Sequence, residues 1–266
     1  MPEAAAPSVD EPVQDDMPAM SFLEHLEELR RRIIFSLIAV AVGFGLCWGY
    51  AERIYDIIQR PIITALAKNG ITEKLVYLNP TEPFNLYLKV GFMAGLFVAS
   101  PFVLYQVWLF ISPGLYRHEK RYVMPFMVST VTLFLAGGYF GYRLVLPQAL
   151  VFLISYGKAF QPMVTVGEYS SLFLTVIIGM GAIFEMPILT LFLSLMGIVS
   201  AGWMWRNLRY SILGIFFIAA VLTPTTDIMN MCIFAAPMIA LYVVSIAVAW
   251  IFHPRQRRKR AEKKAS

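Results

Sequence analysis

What most constrains this chain is where its charges are absent. Between one charged residue or histidine and the next lie long apolar runs: Ile33 to Ala51 (19 residues), Val90 to Tyr116 (27), Tyr122 to Tyr142 (21), Tyr169 to Trp205 (37, interrupted only by Glu185), Tyr210 to Thr226 (17) and Ile228 to Phe252 (25). A helix crossing the hydrocarbon core of a bilayer, about 30 Å thick, needs about 20 such residues. The runs predict six transmembrane helices, the fifth at the short limit. Closed barrels are the other way to satisfy every backbone group in lipid, but their strands alternate apolar and polar residues over about ten positions. "IIFSLIAVAVGFGLCWGYA" is apolar on every side. The fold class is therefore all-α, and the chain is a polytopic membrane protein; a composition of 58% hydrophobic and 15% charged residues excludes an ordinary soluble domain.

The stretch before the first run is rich in Ala, Pro and acid, without the basic start and small-residue cleavage site of a secretory leader. That run is read as a true span. Residues 1–20 are expected to be a disordered acidic tail, 21–252 the six-helix membrane domain, and 253–266 a basic tail. Cys47 and Cys232 both fall inside spans and read as packing residues, with no disulfide framework. Of the 22 Lys and Arg, fifteen lie on the same side as the amino terminus: Arg30 to Arg32, Arg117, Lys120, Arg121, Arg206, Arg209 and seven between Arg255 and Lys264. The positive-inside rule then places both termini in the cytoplasm.

Of the external segments, residues 52–89 are amphipathic, with turn signals at Asn69-Gly70 and Asn79-Pro80, and are expected to form a helical cap. Residues 143–168 read as a second loop, and "TPTTD" (Thr223 to Asp227) as a tight turn pairing helices five and six. Pro101, Pro125, Pro187 and Pro237 lie in or at the ends of spans and are expected to kink them. Kinked, tilted helices would make a curved wall. The two halves show no inverted repeat, which weighs against a secondary transporter.

Three carboxylates stand out. In "HLEELRRR", helical spacing puts Phe22, Leu26, Leu29 and Ile33 on one stripe, with Glu28, Arg32 and His25 on one flank and Glu24, Glu27 and Arg31 on the other. The ordinary reading is a solvated turn with Glu27–Arg31 and Glu28–Arg32 pairs, worth a few tenths of a kcal/mol each. In "YRHEKR", Glu119 is the sole acid of a basic loop; the zinc pattern H-E-x-x-H fails because Tyr122 stands at its last position. Glu185, in "GAIFEMPIL", lies near the middle of the fourth span, where an ionised group costs at least ~2.5–3.5 kcal/mol on insertion scales. It is expected to face protein or water, or to be protonated, rather than to face lipid. His25, His118 and His253 lie at or beyond the membrane boundary, and no Ser-His, di-aspartate or phosphate-loop pattern is visible. Neither an enzyme nor a cofactor is expected.

The segments "FLEHLEELRRRI", "SPFVLYQVWLFISPGLYRHEKR", "FEMPI" and "LTPTTD" resemble, in that order and across Phe22 to Phe252, the TatC family, the large integral component of the twin-arginine protein translocase. The resemblance implies six helices with both termini cytoplasmic, in the inner membrane of a prokaryote. It implies a receptor that binds signal peptides bearing two consecutive arginines and recruits small single-span partners of the TatA and TatB type, self-associating in the process, to export folded proteins with energy from the proton gradient. No nucleic-acid partner is expected. By that resemblance the signal-binding positions are Glu28, Glu119, Arg117, His118, Lys120, Arg121 and Phe110. Glu185, with Pro187 beside it, is the intramembrane position for a partner, and Asp227 is the outer-face acid. Arginine binds carboxylate through a planar, bidentate fork that lysine cannot reproduce, so two separate acceptors would read two arginines rather than bulk charge. The rival reading is a proton-coupled transporter or channel that uses Glu185.

Overall fold

The computed structural model describes residues 22–71, 75–111, 123–157, 163–223 and 227–252. Among these the chain is helical almost throughout: α1 (Phe22–Trp48), α2 (Ala51–Ile58), α3 (Arg60–Lys68), α4 (Glu82–Ile111), α5 (Val123–Phe140), α6 (Leu146–Tyr156), α7 (Val166–Phe184), α8 (Met186–Leu195), α9 (Ala201–Arg206), α10 (Leu208–Leu222) and α11 (Ile228–Phe252). A parallel bridge between Val76 and Thr165 is the extended pairing found there. Five segments are long and apolar enough to cross a membrane: Leu23–Trp48, Glu82–Phe110, Met124–Tyr156, Val166–Leu195 and Ile228–Ile251. The sixth apolar helix, α10, has 15 residues. At 1.5 Å per residue it spans about 22 Å, well short of the core thickness. Thr223, in extended conformation, ends it.

The third span departs from its sequence reading. Arg143 does not end it. A π-helical turn at Gly141–Val145 carries α5 directly into α6, so most of what reads as an outer loop is helix as far as Tyr156. One arginine, itself a good helix former, can leave the hydrocarbon while its backbone stays helical.

The prolines also differ from one another. Pro187 occupies the second position of α8, and the chain breaks at Glu185. Pro101 and Pro237 sit inside unbroken helices. At Pro101 the reason is visible: the carbonyl of Phe97, left without its helical donor, accepts the Ser100 hydroxyl at 2.7 Å.

α1 packs chiefly along α4, α4 also meets α5 and α7, and α8, α9 and α10 meet α11. α1 thus stands at an edge, as a wall rather than a closed bundle requires, and most of its surface is bare. Its seam with α4 is tight: a Cβ added at Gly95 would lie 2.4 Å from the backbone nitrogen of Phe44. Cys47 is half-buried, whereas Cys232 is exposed on α11 and does not pack as expected.

Of the amphipathic segment read as a loop over 52–89, residues 52–71 form the expected helical cap, while Glu82 to Lys89 are the first turns of α4. α2 and α3 bury Ala51, Ile58, Ile62, Ala65 and Leu66 in one core with Leu146, Ala149 and Leu150 of α6 and Tyr169 of α7. The last carbonyls of a helix have no internal donor. Here Tyr142 donates to the Ile57 carbonyl at 2.9 Å and buried Tyr169 donates to that of Ile58. The spans thereby hold the cap by the end of α2. Asn69 and Gly70, at φ 74°, close α3.

Candidate functional site

The described charged groups of interest lie at three levels. The first is the end of the α1–α4 seam remote from the cap. α1 and α4 run antiparallel, so the start of one meets the end of the other. Arg32 donates one guanidinium nitrogen to Glu28 Oε1 at 3.1 Å and another to Gln106 Oε1 of α4, also at 3.1 Å. The pair is single-pronged: Glu28 Oε2 and Arg32 Nε are shielded from solvent and have no hydrogen-bond partner among the described residues. Gln106 is almost wholly buried. One turn further along α4, the Phe110 ring stacks on His25, with centroids 4.5 Å apart and planes 20° apart. Glu28, His25 and Arg32 share the flank that spacing assigned to them, and that flank faces α4. On the opposite flank, Arg31 lies over the Phe35 ring, 5.6 Å from its centroid, rather than completing the expected pair with Glu27.

Of the expected signal-binding positions, Glu28 and Phe110 are thus brought together. Arg117, His118, Glu119, Lys120 and Arg121 lie outside the described residues. Two residues of this cluster lie outside the expected positions. Spacing along one helix shows Arg32 only as a surface partner of Glu28. Gln106 was not singled out, although it is the one amide in the run Val90 to Tyr116 and stands four residues before Phe110.

The second level is Glu185. It closes α7 and opens α8. Its place in the span Val166–Leu195 is about 28 Å along the helix path from one end and about 15 Å from the other. The residue is half-buried, and its Oε1 is shielded, with no hydrogen-bond partner among the described residues. Pro187 is buried beside it.

The third level is Asp227 on the cap side. Its carboxylate accepts the Asn230 backbone N–H at 2.7 Å and the Asn230 amide at 3.3 Å. This is the geometry of a helix N-cap. Asp227 therefore caps the start of α11.

Stacked membrane helices, a helical cap at one end and a carboxylate–guanidinium seam at the other define a polytopic helical membrane protein. The family model for Sec-independent protein translocase protein (TatC) matches residues 24–237. The Sec-independent protein translocase protein TatC of Koribacter versatilis (strain Ellin345) is 69% identical over 249 residues, covering 94% of this chain and 92% of the relative. That of Aquifex aeolicus (strain VF5) is 36% identical over 230 residues, covering 85% and 93%. A crystal structure of the twin-arginine translocase receptor TatC superposes with a TM-score of 0.76 at 35% identity, over 85% of this chain and 98% of that one. The chain belongs to the TatC family. It is accordingly a multi-pass membrane component of a Sec-independent protein translocase.

Proposed function

We propose that this protein is the receptor for twin-arginine signal peptides in the inner membrane of its cell, with both termini and the Glu28 end of the α1–α4 seam in the cytoplasm. The observation that carries the reading is Glu28. Its Oε1 already holds a guanidinium, while Oε2 is shielded and has no donor among the described residues. A buried acceptor left unsatisfied costs about 1–3 kcal/mol, and an ionised carboxylate has lone pairs for more than one arginine. A signal arginine that reaches Oε2, or takes the place of Arg32, relieves that cost. Glu119 supplies the second acceptor, with Arg117, His118, Lys120 and Arg121 shaping the loop around it. The stacked His25–Phe110 face gives the apolar part of the signal a surface beside the charge.

Glu185 and the break at Pro187 offer a polar position within the membrane. In this reading it engages single-span partners of the TatA and TatB type, and self-association builds the receptor complex. The function is recognition and assembly rather than catalysis.

The test is a set of binding isotherms at fixed salt with Arg-Arg, Lys-Arg and Arg-Lys peptides. Glu28→Gln and Glu119→Gln keep shape and remove charge. A charge-assisted hydrogen bond is worth about 1.5–3 kcal/mol and an exposed ion pair about 0–1. At a half-desolvated edge, a loss near 1.4 kcal/mol, about tenfold in affinity, is expected for the Arg-Arg peptide. The loss is smaller for a peptide already lacking the matching arginine. Glu27→Gln does little. Equal weakening of all three peptides by Glu119→Gln means that the loop supplies only general negative potential.

A further inference from the structure

On the cap side of the protein, a cavity of about 630 Å³ opens between α3 and the π-helical turn that joins α5 to α6. Arg60 and Lys68 of α3 and Arg143 of the turn line it, with Thr64, Tyr139 and Tyr142. Among the described residues no carboxylate lines it. None of the three cations forms an ion pair with a described residue; Asp56, one turn before Arg60, accepts the Gln59 amide at 3.0 Å through one oxygen and lies outside the cavity lining. Elsewhere on this side Lys89 has a hydroxyl partner in Ser171. Positive charge is sparse at this end of the spans, so three cations lining one cavity, with no ion pair among the described residues, call for an anion.

The depth of the cavity identifies the kind of anion. Arg143 stands about 28 Å along the helix from Met124, where the third span begins. That is close to the full thickness of the hydrocarbon core, so its guanidinium lies at the headgroup level. One and two turns back toward the membrane centre on the same face are Tyr139 and Leu135, both exposed. A molecule with its charge among Arg60, Lys68 and Arg143 would have its tail against this apolar track. A soluble anion has no use for the track.

We infer that this cavity binds the phosphate headgroup of an anionic phospholipid from the leaflet on the cap side, with an acyl chain laid along Tyr139 and Leu135. Arginine presents a fork suited to phosphate oxygens, and lysine adds a point charge. Basic pockets between membrane helices hold anionic headgroups on the same principle. The lipid would wedge between α3 and the third span and so tie the cap to the membrane surface. The inference concerns a face remote from the signal-binding seam and does not depend on it.

The experiment is lipid retention by the full chain in mild detergent, read by native mass spectrometry after titration with phosphatidylglycerol or phosphatidylcholine. The wild type is expected to keep a phosphatidylglycerol molecule through delipidation and to prefer it to phosphatidylcholine. Each cation near a headgroup contributes about a fivefold factor, so Arg60→Gln/Lys68→Gln/Arg143→Gln should weaken retention about a hundredfold. Arg60→Lys/Arg143→Lys keeps the charges and should retain most of it, and Arg53→Gln, outside the cavity, should be neutral. The altered side chains are exposed; unchanged elution and far-ultraviolet dichroism confirm the fold, and Lys68→Gln and Arg143→Gln alone give the same reading if the triple variant fails to fold. Equal retention of the two lipids, or of phosphatidylglycerol by the triple variant, overturns the inference. Displacement of the lipid by excess inorganic phosphate would mark a soluble-anion site and overturns the lipid assignment.

Discussion

Adding one methyl group to Gly95 tests how α1 is held. Its Cβ would lie 2.4 Å from the Phe44 nitrogen and 2.7 Å from both Gly43 C and Phe44 Cα, all backbone atoms that cannot rotate away. Ordinary contact begins near 3.4 Å, so the two helices must part by about 1 Å, at a cost in the usual overpacking range of about 1–3 kcal/mol. Replacing a helical glycine returns up to ~1 kcal/mol of propensity. Three other glycines grade the effect. Gly43→Ala meets the Gly95 carbonyl oxygen at 2.5 Å and should be as harmful. Gly91→Ala meets only the rings of Phe44 and Trp48, at 3.2 and 3.3 Å, and these can shift. Gly45→Ala meets nothing within 4 Å and should be neutral or slightly stabilising. Close backbone approach through small residues is a main source of helix association in lipid, and α1 has little besides α4 to pack on. The assay is unfolding in mixed micelles, together with signal-peptide binding, because Arg32 and Gln106 bridge the same seam at 3.1 Å. Gly95→Ala should lie about 1–2 kcal/mol below Gly45→Ala and bind signal more weakly. Equal unfolding midpoints for Gly95→Ala and Gly45→Ala would refute the close-contact argument.

Tyr169→Phe strands the Ile58 carbonyl in the cap core and should cost about 1–3 kcal/mol, read as faster proteolysis of residues 51–71; Tyr142→Phe, whose hydrogen bond is exposed, should cost less. Glu185→Ala should reduce co-purification of single-span partners while leaving signal-peptide affinity unchanged, and normal assembly and transport in that variant would dismiss the partner role. Four apolar residues inserted within Leu213–Val221 lengthen α10 by about 6 Å. If the short helix thins the bilayer to ease passage of cargo, transport should fall further than signal binding, and unchanged transport by a folded insertion variant would count against that.

The all-helical membrane architecture is legible in the sequence, because the length and purity of an apolar run are local properties that the bilayer converts directly into a span. So are the amphipathic cap, its Asn69-Gly70 stop and the shortness of α10, each set by residues near one another in the chain, while the turn expected over 224–226 lies outside the described residues. Periodicity further showed that Glu28, His25 and Arg32 share a face. What that face meets was decided by the tertiary structure: Gln106 is 74 residues from Arg32, and no spacing rule links positions on two helices. The third span likewise runs past Arg143 because α3 packs against α6 and Tyr142 holds the end of α2. Pro101 leaves its helix whole because Ser100 supplies the missing donor, while the chain divides at Glu185 beside Pro187. A side chain's identity fixes what it can bond to; which partner comes within reach depends on packing between segments far apart in sequence.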